Sequence, residues 1–177
     1  MTAETLTGDR AASAVQPAKN SMSGVVQAAF GTYAVASTAW EAGDIFKLCK
    51  LPAGALVIGG MYHGGDFDTN ATETADMDMG WADNGGASET ITTADGVTYT
   101  NMEAGAADAN GFVNSGVLVG DGITELLIAS ANLRPFPMVT GPIYFSRETT
   151  VQAEVIAAQA TGAAATLYVV VYYVVIG

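Results

Sequence analysis

Apolar and polar positions alternate along much of the chain, and a period of two is the pattern of strands with one face buried. Residues 74–81 show it most clearly. Ala75, Met77, Met79 and Trp81 are apolar, while Thr74, Asp76, Asp78 and Gly80 are polar or small. The pattern predicts a strand with its aspartates turned to solvent and its methionines and tryptophan turned inward. Residues 149–159 repeat it, with Val151, Ala153 and Val155 set against Thr150, Gln152 and Glu154. Residues 166–177, "TLYVVVYYVVIG", are apolar on both sides and rich in β-branched and aromatic residues. Such a run predicts a central strand covered on both faces, or one lying in a subunit interface.

Weaker patterns predict strands over 24–38, with Gly31 as a candidate bulge, and over 44–51 and 55–63, joined by a turn at Pro52, Ala53 and Gly54. Two more are expected at 123–130 and at 139–146, the latter with Pro142 at an edge or bulge. Pro135 and Pro137 hold the backbone between these two extended. Residues 83–117 are dominated by Gly, Asn, Asp and Thr. They read as a long irregular surface or interface loop, with a short helix over 99–109 weakened by Gly105. Residues 1–22 are polar and Ala-rich, broken by Gly8 and Pro17, and predict an extended N-terminal arm. The expected fold is all-β: a β-sandwich of jelly-roll topology over residues 23–177, preceded by the arm and carrying the irregular insertion.

Composition narrows the function. The chain has 177 residues, of which 50% are hydrophobic and 14% charged, enough for one domain with a substantial core. Its 18 acidic residues against six basic ones give a net charge of −12. The basic residues Arg10, Lys19, Lys47, Lys50, Arg134 and Arg147 are scattered, so no patch is expected to neutralise phosphates. Nucleic acid and anionic membranes are therefore not expected partners, whereas a basic protein surface would attract the chain. No basic start with an apolar run marks a leader peptide, and the C-terminal apolar run is shorter than the roughly 20 residues a membrane helix needs. A soluble protein made in the cytoplasm is expected.

Candidate chemistry gathers in "GGDFDTNATETADMDMGW", residues 64–81. Asp66, Asp68 and Asn70 begin as a calcium loop does, D-x-D-x-N, and are the candidate metal ligands. The match then fails, because the sixth position is Ala71 rather than Gly and the twelfth is Met77 rather than Glu. Asp68 and Asn70 equally suit capping of backbone N–H groups in a turn. Paired carboxylates for glycoside hydrolysis could come from Asp66, Asp68, Asp76 or Asp78. Such a site usually brings aromatic sugar platforms, and the only tryptophans are Trp40 and Trp81, the second on the apolar face of its strand. His63 is the single histidine and Cys49 the single cysteine. Neither has a nucleophile–base pattern around it, and zinc would need more such ligands. The glycines of 116–122 lack the following Lys-Ser/Thr of a phosphate loop. No catalytic residue and no cofactor is expected.

Residues 43–84 carry a family resemblance. Gly43, Asp44, Lys47, Leu48, Lys50, Leu51, Pro52, Ala53 and Gly54 follow a "GD-hhKLhKLPAGA" strand pair. Asp66, Phe67, Asp68 and Thr69 follow a "DLDT" turn, with Phe for Leu. Met77, Asp78, Met79, Gly80, Trp81 and Asp83 follow an "hDhGhxD" strand. This pattern resembles the capsid decoration, head-auxiliary or cement proteins of tailed bacteriophages. The resemblance implies a non-enzymatic virion protein, with the major capsid protein and itself as partners, the latter as a homotrimer. It would sit on the capsid exterior after synthesis in the host cytoplasm, bind across neighbouring capsid subunits and stabilise the shell. A head-fibre, tail or baseplate protein is the alternative, and a carbohydrate-binding jelly-roll module a third class.

Overall fold

The computed structural model describes residues 5–7, 25–36, 40–65, 67–70, 74–86, 90–92, 98–100, 106–116, 134–135 and 142–176. Side chains are placed in all of these except 5–7, 90–92, 98–100, 114–116 and 134–135. The strands are β1 (Thr5–Thr7), β2 (Val26–Val35), β3 (Ile45–Leu51), β4 (Ala55–Gly64), β5 (Asp76–Trp81) and β6 (Thr90–Thr92). They continue with β7 (Thr98–Thr100), β8 (Asp108–Gly116), β9 (Arg134–Pro135), β10 (Ile143–Phe145), β11 (Thr149–Ala157) and β12 (Ala165–Val175). No helix occurs among the described residues.

Two sheets form the molecule. The first has the order β1-β3-β11-β5-β8 and the second β10-β4-β12-β2, with β9 also pairing β4. Only the β1–β3 pair is parallel, within these two sheets. Setting aside the short β1 and β9, successive strands change sheet at every step except from β5 to β8. That is the wiring of a jelly roll. The minor pair β6–β7 is a separate two-stranded sheet between β5 and β8.

The turn at Pro52–Gly54 shows why consecutive strands part company. It does not fold β3 and β4 into a hairpin but carries the chain from one sheet to the other. Gly54, at φ 84°, takes the left-handed conformation that a side chain would resist. Its N–H donates to the Phe145 carbonyl, and its carbonyl accepts from the Ile176 N–H. The arch is thus tied to both neighbours of β4.

Between the sheets the alternating apolar positions meet. Phe46, Leu48 and Leu51 of β3, Met77 and Met79 of β5 and Val151 and Val155 of β11 face Val57 of β4 and Leu167, Val169, Val171 and Tyr173 of β12. A bulge opposite Val151 and Gln152 adds a residue to β3, so that Leu48 and Cys49 are both buried, which strict alternation would forbid. At one margin Trp40 packs edge-on against Phe46 and Phe67. At another, Trp81 packs edge-on against Phe112 and Phe145.

Several expectations are corrected. Gly31 is no bulge, because β2 pairs β12 without a register shift. It is glycine because a Cβ there would collide with the Leu48 carbonyl of the facing sheet. The helix expected over 99–109 is replaced by strand at both ends, in β7 and β8. Nor is 83–117 irregular throughout, since β8 is a full strand of the first sheet. The strand expected at 123–130 lies outside the described residues. Of the N-terminal arm, only Thr5–Thr7 is described, as a parallel strand along Ile45–Lys47. The strand over 166–177 is central, as expected, but only one of its faces is fully buried within the chain.

Candidate functional site

Asp68 is fully buried, and its carboxylate is the anchor of a two-turn clamp. One oxygen, Oδ1, accepts from the backbone N–H of Asn70 (3.2 Å) and Thr161 (2.8 Å). Oδ2 accepts from the N–H of Thr74 (2.9 Å) and Ala160 (2.8 Å). The turn after β4 is thereby fastened to the turn between β11 and β12. Asn70 Nδ2 adds a bond to Thr161 Oγ1 at 3.1 Å, and Thr74 Oγ1 donates to the Ala158 carbonyl at 2.8 Å. Backbone bonds from Thr69 N–H to the Thr161 carbonyl and from Ala163 N–H to the Phe67 carbonyl complete it. Burial by itself would raise the Asp68 pKa, but the four N–H donors outweigh burial and hold it well below the usual carboxylate range.

This donor set bears on the calcium reading. Four N–H hydrogens converge on the Asp68 oxygens, so a cation there would have to displace donors already bound. The four bonds account for the burial of the Asp68 carboxylate by themselves. Asp66 lies outside the described residues, and Asn70 directs its amide nitrogen to a hydroxyl. No group of three or more His, Cys, Asp or Glu side chains arranged to hold a metal occurs among the described residues.

Asp76 and Asp78 depart from their expected place in solvent. Asp78 is only 7% exposed and lies opposite Glu154 across the β5–β11 ladder. Two residues on, the β8 backbone at Asp108–Ala109 closes over Gly80 so tightly that a Cβ on Gly80 would strike the Asp108 carbonyl. Asp76 keeps a buried Oδ1 without a hydrogen-bond partner. Burial, then the neighbouring Asp78 charge, push its pKa up.

The remaining candidates have structural places. His63 is buried and stacks at a tilt on Tyr168, with centroids 5.9 Å apart. Cys49 is a buried thiol within the core. Both tryptophans are buried, and Trp81 Nε1 donates to the Ala106 carbonyl at 2.9 Å. Neither offers a ring to a sugar. Lys50 pairs with Glu148 at 3.0 Å.

A feature that residue-by-residue inspection missed is the outward face of the second sheet. Val26 (56% exposed), Phe30 (51%) and Ile58 (43%) lie open there. Strands β2, β4 and β12 contain no Asp, Glu, Lys or Arg. The available signal was this long absence of charge in an otherwise acidic chain.

No protein-family model matches the chain, and no curated protein does. Solved structures match the fold over nearly its whole length. A chain of the capsid of Ralstonia phage GP4 superposes with a TM-score of 0.65 at 18% identity, over 98% of this chain and 99% of that one. A chain of the cyanophage Pam1 capsid asymmetric unit superposes with a TM-score of 0.58 at 20% identity, over 95% and 97%. A third, from the acidic stable capsid of Helicobacter pylori bacteriophage KHP30, gives 0.50 at 16% identity, over 86% and 90%. At these identities the likeness is one of fold.

Proposed function

We propose that this chain is a structural protein of a bacteriophage virion that decorates and stabilises the capsid. The observation that carries the reading is the near-complete, two-way coverage of a phage capsid chain, 98% and 99%. The fold is matched over nearly the whole of both chains. Sequence and geometry support the same reading. The residues singled out for chemistry are spent on architecture: Asp68 on a turn clamp, Trp40 and Trp81 on the core, and His63 on an aromatic contact. The pattern over 43–84 supports the decoration subtype, in which the protein binds the shell exterior across neighbouring copies of the major capsid protein. Copies of the chain associate as a homotrimer in this reading, and neither nucleic acid nor membrane is a partner.

A protein that binds only the assembled shell stabilises that shell by mass action. Particles stripped of this protein should release their genome at lower temperature and survive osmotic shock less well than intact ones. Adding the purified protein back should restore both properties. Stripped particles that survive heat and shock as intact ones do would overturn the stabilising role.

A further inference from the structure

We infer that the outward face of the second sheet is the surface through which copies of this chain associate. The inference rests on the self-association part of the proposed function and adds where it occurs. It does not depend on capsid binding.

The register builds the face row by row. Phe30, Val170 and Met61 lie side by side across β2, β12 and β4, as do Val26, Val174 and Leu56 at one end. Between these rows the hydroxyl of Tyr172 donates to the sulfur of Met61 at 3.9 Å, so even the polar tip is satisfied within the face. A bulge opposite Tyr172–Tyr173 adds Ile58 as an extra exposed residue. Three neighbouring strands of about ten residues give a footprint of roughly 15 by 33 Å, or about 500 Å² in projection. That is at the upper end of the apolar patches left open on monomers, about 300–600 Å². With side-chain relief it supplies most of the ~800 Å² that each partner buries in a stable complex.

Charge identifies the occupant as a second copy. The chain carries −12, so two copies repel unless they meet where charge is absent. Strands β2, β4 and β12 are free of acidic and basic residues, while β3, β5 and β11 of the other sheet carry Lys47, Lys50, Asp76, Asp78 and Glu154. Turning the second sheets toward a common axis keeps the charged residues of β3, β5 and β11 away from the contact. Where two second sheets meet, the first sheets lie three spacings of ~10 Å apart, or about 30 Å, several Debye lengths at physiological salt. An uncharged face gives a charged partner no ion pair. The face that offers a basic partner nothing is matched by an identical uncharged face.

The test is the mass of the purified full chain by sedimentation equilibrium at micromolar concentration. The wild type should sediment as a multiple of 18.0 kDa. Phe30→Asp and Ala28→Glu each place a charge on the face at an exposed position, the second replacing only a methyl group. Both should weaken association about a hundredfold or more and shift the mass to the monomer, with unchanged circular dichroism. Asp76→Asn on the other sheet should leave the oligomer intact. Variants that keep the wild-type mass would overturn this assignment and leave self-association standing. A wild type that sediments as a monomer would overturn both.

Discussion

Asp68 shows how one side chain can hold two distant turns. Its four N–H donors come from Asn70 and Thr74 on one side and from Ala160 and Thr161 on the other. Asp68→Asn keeps the shape but turns an amide donor toward N–H groups, and should cost about 3 kcal/mol in chemical denaturation. Because folding lowers this pKa, the stabilisation is complete above the unfolded value of about 3.9 and is withdrawn as pH falls below it. The stability gap between wild type and Asp68→Asn should therefore narrow below about pH 4. A gap that stays constant with pH would mean that the charge is not what the donors hold. Asp76 has the opposite sign. Its raised pKa makes the ionised form a penalty in the folded state, fully present above the folded value and absent below the unfolded one. Asp76→Asn should leave stability at pH 7 unchanged or higher by the same assay, and a clear loss would contradict this. The local half of the Asp68 clamp was legible, since Asp-x-Asn in a polar stretch predicts turn capping. The distant half was not, because nothing in "QATG" at 159–162 announces that its N–H groups face a carboxylate more than ninety residues earlier.

At the scale of elements, alternation located β5 and β11, an unbroken apolar run located β12, and Pro52–Gly54 located the break between β3 and β4. What alternation could not supply was the layer outside each sheet. Asp78 obeys the period of two and is still buried, and β8 closes over Gly80 two residues on. The residues of β8, "DANGFVNSG", have neither the β-branched content nor the alternation of a strand, and they sit there through tertiary contact. Glycines mark the tight crossings. Gly31→Ala would drive a methyl group into the Leu48 carbonyl, and should cost about 2 kcal/mol, read as a lower denaturation midpoint with unchanged slope. Wild-type stability in that variant would show that β2 is not held so close to β3.

For the whole molecule, sequence predicted a jelly roll without the pairing order, and the observed order β3-β11-β5-β8 over β2-β12-β4-β10 supplies it. The sandwich then divides its chemistry, with β3, β5 and β11 of the first sheet bearing charge and β2, β4 and β12 of the second bearing none. That asymmetry is a property of strands far apart in sequence and becomes visible only when β2, β4 and β12 are placed side by side. A two-faced block of this kind suits repeated packing in a shell better than turnover of a small substrate. The most direct test is an icosahedral reconstruction of the parent particle by electron cryomicroscopy, at a resolution that separates strands. The account predicts jelly-roll density matching this chain in many symmetry-related copies on the outer surface of the capsid, seated across neighbouring capsid subunits. Its absence from the shell, or its presence only at the tail vertex, would contradict the account.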